Sequence, residues 1–137
     1  IMDGRGIAAA LALGADAAQM GTAFLTTDES GISDAYKAVL PATRSEQSRV
    51  TRAFSGRPAR GISNAFMRDA DAIGADILPY PLQNALTRPM RTAGGKAGNI
   101  NVLSLWAGQA APLARRESTA DLVQRLVRET QAAQSRR

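Results

Sequence analysis

Two glycine-containing turns enclose one loop–helix–strand unit at the start of the chain. Gly4 and Gly6 lie where an apolar helical run begins, Gly14 ends that run, and a short stretch of small residues then reaches Gly21 and Thr22. Backbone N–H groups at glycine turns and helix N-termini attract anions, so such a unit can form a phosphate cradle. Because no strand precedes the first turn, we expect the chain to be the C-terminal part of a larger α/β enzyme.

Apolar periodicity and Gly/Pro positions predict the remaining elements. Helices are expected over residues 4–13, 33–40, 60–69, about 81–93 and from 118 onward, and strands over residues 15–20 and 49–54. Ser33 and Ser118 are the expected N-caps. Pro89 is expected to end or kink its helix, and the segment 92–98 is expected to be flexible. Two strands cannot form an independent sheet for so many helices, which also favours an incomplete fold.

The final helix, capped by Ser118 with Asp121 three residues later, is expected to carry an apolar stripe. Its members are Leu122, Val123, Leu126 and Val127.

Charge and composition exclude several classes of partner. The net charge is +5, but the arginines are scattered and aromatic residues make up only 4% of the chain. A single-strand nucleic-acid binder needs aromatic stacking platforms, so no nucleic-acid partner is predicted. No apolar run approaches the roughly 18 residues of a membrane span. The absence of cysteine and of a secretory signal is typical of a cytoplasmic protein.

Histidine is absent as well as cysteine. This excludes a histidine base, a Ser-His-Asp triad and a His- or Cys-ligated metal within the chain. The chemistry must therefore come from carboxylates, from Lys or Tyr, or from a cofactor.

Five polar residues have both a functional and a structural interpretation. Asp3 is a possible catalytic carboxylate, but an N-cap aspartate is the favoured interpretation. Arg52, Arg57 and Arg60 can grip an anionic substrate, yet solvated or salt-bridged arginines are the favoured alternative. Tyr80 as a general acid has almost no support in the sequence.

Five segments, in this order and spacing, resemble the nitronate monooxygenase family, formerly called 2-nitropropane dioxygenases. They are residues 2–7, 12–16, 19–25, 51–61 and 105–109, and the resemblance extends over nearly the whole chain.

The resemblance implies an FMN-dependent TIM-type barrel. Members oxidise alkyl nitronates, such as propionate 3-nitronate, with O₂ to carbonyl compounds and nitrite through flavin radical chemistry. The expected fold class is therefore α/β: the C-terminal portion of a TIM-type (β/α)8 barrel with additional C-terminal helices, the barrel being incomplete in this chain. Residues 1–25 would supply the last βα units with the phosphate-binding turns, and residues 26–137 a mainly helical segment. The N-terminal barrel portion, with the family's catalytic histidine, would lie elsewhere in the protein or on a partner chain.

The family match places Gln19, Met20, Gly21 and Thr22 at the FMN phosphate. Phosphate sites on barrels commonly lie after strands seven and eight, which agrees with this position. Gly21 lets the backbone approach the phosphate without a Cβ, and Thr22 adds a hydroxyl donor. Gly4 and Gly6 are expected to shape the loop and the start of the helix.

Other interpretations remain open at this point. Trp106 and Gln109 face the flavin, or the tryptophan is a core residue beside a tight turn. A flavin-dependent enoyl-acyl-carrier-protein reductase shares the two glycine turns and would use a nicotinamide cofactor. A non-catalytic interaction domain, with the glycine turns as connectors, is the alternative from another class.

Overall fold

The computed structural model describes residues 1–74 and 76–135, which form six α-helices, three short 3-10 helices and one β-hairpin. The helices are α1 (Gly4–Ala12), α2 (Thr22–Leu25), α3 (Asp34–Ala42), α4 (Ala65–Ala72), α5 (Leu82–Lys96) and α6 (Thr119–Gln134), and the strands are β1 (Ser48–Thr51) and β2 (Ala59–Ile62). The 3-10 helices are Ser45–Gln47, Ile100–Val102 and Ala111–Leu113. None of the helices in the described ranges is long and apolar enough to cross a membrane.

Local signals account for both ends of α1. Asp3 is its N-cap, and the Gly6 N–H donates to the Asp3 carboxylate at 3.0 Å. The helix ends at Ala12, and Gly14 adopts a positive φ of 95°, a backbone conformation that residues with a Cβ rarely adopt. The predicted helix over residues 4–13 and its glycine stop are thus confirmed. The same holds for Ser33 and Ser118, whose side chains accept the N–H groups of Tyr36 and Asp121 at the starts of α3 and α6.

α1 packs against α6, and Gly4 makes this contact possible. A Cβ built on Gly4 would overlap the Glu129 side chain and would lie 2.6 Å from the Glu129 carbonyl carbon. The Gly4 N–H donates to Glu129 Oε2 at 2.9 Å. Of the predicted α6 stripe, Leu122 and Leu126 are buried, whereas Val123 and Val127 are about half exposed.

The β-hairpin replaces a predicted helix. β1 and β2 pair antiparallel from Ser48↔Ile62 to Thr51↔Ala59, so residues 60–62 are strand and the next helix begins only at Ala65. The prediction of a helix over 60–69 was wrong in its first half, because ladder bonds to distant residues outweigh a weak local preference. The other edge of β2 bonds residues 105–107: Ile62 N–H donates to Leu105 O at 2.9 Å.

The predicted strand over residues 15–20 is not a strand in this structure. Within the described residues, the backbone from Asp16 to Met20 makes no hydrogen bond, and most of the segment is exposed. A strand exists only as part of a ladder, and the described residues supply no neighbour here. The described part of the chain therefore contains the two hairpin strands and no closed barrel.

α5 continues through the proline that was predicted to break it. Pro89 and Ala85, whose carbonyl loses its helical donor, both lie on the exposed face, where solvent can satisfy that carbonyl. The predicted flexible segment 92–98 is also largely helical, since α5 ends at Lys96. Gly94 is buried there, and a Cβ on it would overlap Val102.

Buried residues from most elements form the core. The largest fully buried side chains include Leu40, Phe54, Met67, Leu105 and Leu122. Phe54 lies edge-on to Trp106, with ring centroids 5.7 Å apart and an interplanar angle of 88°. Such edge-to-face pairs add about 1 kcal/mol beyond burial and hold the hairpin loop against residues 105–107.

An ion-pair network holds the α1–α6 contact. Arg125, with only 11% of its side chain exposed, lies 2.5 Å from Glu117 and 3.2 Å from Glu129. Burial disfavours the charged form of Glu129, but the Gly4 N–H and the Arg125 guanidinium outweigh burial and lower the pKa of this carboxyl below its ordinary value. A carboxylate with a lowered folded-state pKa stabilises the fold above its unfolded pKa and loses that contribution as the pH falls.

We therefore expect acid to weaken this contact in a defined window. As the pH falls from about 5 through the unfolded glutamate pKa of about 4.3 and below, the urea midpoint should drop. The Glu129→Gln variant keeps an acceptor for Gly4 and should be less stable by about 1 kcal/mol at pH 7, with a flatter acid slope. The control is Glu46→Gln, whose ion pair with Arg44 is exposed and contributes little. Equal acid slopes in wild type and Glu129→Gln would contradict this assignment.

Candidate functional site

The turn at Gly21 leaves backbone donors free. Gly21 is the N-cap residue of α2, which has no side-chain cap, and within the described residues the N–H groups of Gly21 and Thr22 have no partner. A Cβ built on Gly21 meets no atom within 4 Å. Its φ of −120° lies outside the left-handed region, so the backbone conformation does not itself demand glycine. What glycine provides here is open space in front of unpaired donors.

Thr22 is oriented by a residue distant in sequence. The Gly108 N–H donates to Thr22 Oγ1 at 3.0 Å. A hydroxyl that accepts one hydrogen bond still has its proton to donate. The described residues offer no acceptor for that proton, so it remains available to a ligand at the exposed side of the turn.

The segment that carries Gly108 is fixed from two sides. On one side, Ala107 N–H donates to Arg60 O at 3.2 Å, which extends the β2 edge. On the other side, the Tyr36 hydroxyl of α3 donates to Trp106 O at 2.6 Å. The Gly108 carbonyl also accepts the Ala111 N–H at 3.1 Å, in a turn that leads into the 3-10 helix Ala111–Leu113. Gly108 is therefore held at a fixed position beside Thr22.

The two other residues predicted at this site differ from each other. The Gln19 side chain is exposed and makes no hydrogen bond within the described residues. The Met20 side chain packs against the core, which leaves only its backbone for a ligand. Of the four predicted residues, Gly21 and Thr22 are thus the pair that forms a donor-lined turn.

The first glycine turn uses its donors within the protein. Gly4 N–H bonds to Glu129 and Gly6 N–H to Asp3, so neither is free for an anion. Burial disfavours the Asp3 carboxylate, but the Gly6 N–H and Arg5 together lower its pKa below the ordinary value. Asp3 is accordingly an ionised N-cap, which is the interpretation that the sequence favoured. Of the two glycine turns expected to form a phosphate cradle, only the Gly21 turn has N–H groups without partners in the described residues.

The three candidate arginines have structural partners. Arg52 Nε donates to Gly56 O at 3.0 Å, and Arg60 Nη1 donates to Ser48 O at 3.0 Å. The Arg57 guanidinium lies 5.2 Å from the centre of the Tyr80 ring. The Arg57 and Tyr80 side chains are exposed, and the Tyr80 hydroxyl makes no hydrogen bond in the described residues. These contacts give no arrangement for gripping an anion or for acid catalysis.

Trp106 and Gln109 differ in their surroundings. Trp106 is half-buried between Phe54 and Gly61, where a Cβ on Gly61 would lie 3.0 Å from the indole ring. Gln109 is exposed. The contacts of Trp106 with Phe54 and Gly61 are structural, and a position facing the flavin stays a prediction for both residues.

Sequence reasoning missed two residues of α3 that support this region. Tyr36 holds Trp106, and Lys37, only 6% exposed, donates from Nζ to Thr27 O at 2.6 Å and to Asp28 O at 3.2 Å. Lys37 and the buried Leu40 lie on one helical face. The lysine on the apolar face of this short helix was the sequence signal that could have predicted a buried lysine bonded to backbone carbonyls.

Comparisons with known proteins give one consistent family. The nitronate monooxygenase family model matches residues 1–129. A probable nitronate monooxygenase of Staphylococcus saprophyticus is 40% identical over 136 residues, covering 99% of this chain and 38% of the relative. The nitronate monooxygenase of Pseudomonas aeruginosa is 46% identical over 130 residues, covering 94% of this chain and 37% of the relative.

Two solved structures superpose on the chain. A nitroalkane oxidase from Streptomyces ansochromogenes superposes with a TM-score of 0.91 at 45% identity, covering 98% of this chain and 38% of that one. FabK from Thermotoga maritima has a TM-score of 0.81 at 29% identity, covering 99% of this chain and 43% of that one. The chain thus spans about 38% of the length of the curated relative from Staphylococcus saprophyticus.

Proposed function

Since the chain belongs to the nitronate monooxygenase family, we propose that the whole protein oxidises alkyl nitronates, such as propionate 3-nitronate, with O₂ to a carbonyl compound and nitrite. The observation that carries the proposal is the match over residues 1–129, together with 46% identity to a nitronate monooxygenase. The family's cofactor is FMN, and we place its phosphate at the Gly21 turn.

The donors at this turn fit a phosphate. Within the described residues, the N–H groups of Gly21 and Thr22 and the hydroxyl proton of Thr22 have no partner, and a Cβ on Gly21 would meet no atom within 4 Å. Phosphate oxygens accept hydrogen bonds from such donors, and the absence of a Cβ allows close approach. Gln19 and Met20 would contribute backbone or an exposed amide at the edge of the same turn.

The remaining parts of the enzyme would come from outside these residues. Within the described residues, the backbone of residues 16–20 makes no hydrogen bond, so we propose that neighbouring barrel strands pair with it, supplied by another part of the protein or by a partner chain. In this scheme, residues 1–25 supply the last βα units and residues 26–137 a mainly helical support. The resemblance implies a histidine base, and the chain has no histidine, so in this proposal the base is supplied elsewhere.

When bound, FMN supplies the redox chemistry with O₂. The role of this chain is to hold the phosphate end and thereby set the position of the ring. Gly21 and Thr22 would bind the phosphate, and α3 would support the turn from behind.

The direct test is oxygen uptake by the full-length protein. We expect the purified, flavin-loaded protein to consume O₂ and release nitrite with propionate 3-nitronate, without added nicotinamide cofactor. Oxygen electrode traces and nitrite assays measure this. Flavin reduction by NADH or NADPH, with no nitronate turnover, would instead support an enoyl-acyl-carrier-protein reductase. A full-length protein that purifies without flavin and binds none would support an interaction domain.

The matched control is the 137-residue chain alone. It should show no oxygen uptake with propionate 3-nitronate, because it carries no histidine and only the phosphate end of the flavin site. Measurable turnover by this pure chain would refute the proposed division of roles.

A further inference from the structure

Thr22 differs from the two threonines that follow it. Thr27 Oγ1 donates to Phe24 O at 2.9 Å, and Thr26 Oγ1 donates to Arg115 O at 2.7 Å. Their hydroxyl protons are thus used inside the protein, as is common for Ser and Thr near a helix. Thr22 instead accepts from Gly108, and the described residues hold no acceptor for its proton. Its proton can therefore be donated to solvent or to a bound ligand.

One of the contacts that fix the segment carrying Gly108 is a side-chain hydrogen bond, beside the backbone bonds to β2. Tyr36 Oη donates to Trp106 O at 2.6 Å, two residues before Gly108, while its ring packs against the core cluster. A tyrosine phenol is already protonated, and thus a donor, at physiological pH, and burial raises the pKa of Tyr36 further. A hydrogen bond from a rigid ring limits how far this segment can move away from α3.

We infer that Tyr36 is a positioning residue for the cofactor phosphate, acting through Trp106 and Gly108 on the hydroxyl of Thr22. The inference rests on the proposed function, because it takes the phosphate to bind at the Gly21 turn. Tyr36 holds the 105–108 segment, Gly108 N–H occupies one lone pair of Thr22, and the Thr22 proton is thereby directed towards the phosphate. Tyr36 itself does not touch the ligand.

The test compares FMN with riboflavin, which lacks the phosphate. In the full-length protein, Tyr36→Phe keeps the ring and removes the hydrogen bond. We expect its dissociation constant for FMN to rise about three- to tenfold, as for the loss of one hydrogen bond, while that for riboflavin stays the same. Flavin fluorescence titration of the apoprotein measures both constants. The control is Tyr80→Phe, which removes a hydroxyl that has no hydrogen bond in the described residues.

A double-mutant cycle separates positioning from general loosening. If Tyr36 acts through Thr22, Thr22→Ala and the pair Tyr36→Phe/Thr22→Ala should weaken FMN binding equally. Additive losses, or equal losses for FMN and riboflavin, would overturn the inference and leave the proposed site intact. Wild-type FMN affinity in Tyr36→Phe, together with weakened FMN binding in Thr22→Ala, would likewise overturn the inference and leave the proposed site intact. If Gly21→Val and Thr22→Ala both leave FMN affinity unchanged, the phosphate site itself is misplaced.

Discussion

Replacing Gly21 with valine in the full-length protein is expected to weaken FMN binding about ten- to a hundredfold, the loss that accompanies one or more charge-assisted contacts to phosphate. With the phosphate at this turn, as proposed, the effect comes from occlusion. A Cβ at Gly21 meets no protein atom within 4 Å, and its φ of −120° causes no left-handed strain. The branched side chain would therefore fill the space of the phosphate without disturbing the fold. Thr22→Ala should act more mildly, since neighbouring N–H groups remain.

Gly31→Val is the matched control for this prediction. Gly31 is also an exposed loop glycine with no atom within 4 Å of a built Cβ and no positive φ. Its replacement should leave FMN affinity unchanged. Flavin content after dialysis, read from flavin absorbance, and fluorescence titration give occupancy and affinity, and circular dichroism checks the fold. Folded Gly21→Val protein with full occupancy and wild-type affinity would show that this turn does not bind the phosphate.

Replacing Gly4 with alanine is expected to destabilise the protein by about 3 kcal/mol, the upper end of the usual cost of overpacking. The added Cβ would overlap Glu129 and the Thr130 backbone of α6, and backbone cannot swing aside as a flexible side chain can. The two helices would have to separate, which would also lengthen the bond from Gly4 N–H to Glu129. The shift in urea midpoint of the full-length protein measures the effect.

Gly6→Ala provides the comparison within the same helical turn. A Cβ there lies 3.1 Å from the Ile1 Cγ2 side-chain atom, and its neighbours Asp3 Oδ1 and Ile1 Cα, both at 3.7 Å, are at ordinary van der Waals distance. Alanine also favours the helix over glycine by up to about 1 kcal/mol, so stability should change by no more than that. Equal destabilisation by the two variants would mean that helix geometry, and not the α1–α6 contact, requires Gly4.

Elements whose signals are local were predictable from the sequence. Asp3, Ser33 and Ser118 cap their helices through side-chain bonds to N–H groups three residues ahead, and Gly14 ends α1 with a positive φ. The family was also readable, because its turns keep their residues in order along the chain. The match of the family model to residues 1–129 confirms that resemblance.

Elements whose state depends on a distant neighbour were not predictable in this way. Residues 60–62 are strand because β1 lies on one edge and residues 105–107 on the other. The segment 15–20 resembles a strand locally but has no ladder partner in the described residues. Pro89 remains inside α5 because its face of the helix is exposed, a property that tertiary packing decides.

The candidate site also combines features that depend on neighbouring residues with features that depend on distant ones. The sequence by itself determined the family, the helix caps and the glycine–threonine turn at Gly21, since each depends on residues close together in the chain. Only the tertiary structure decided that Gly4 serves helix packing, and that Gly108, 86 positions away, sets the hydroxyl of Thr22. The physical reason is that a hydrogen bond or a close approach between distant residues depends on how the whole chain packs, and local propensities carry no record of that packing.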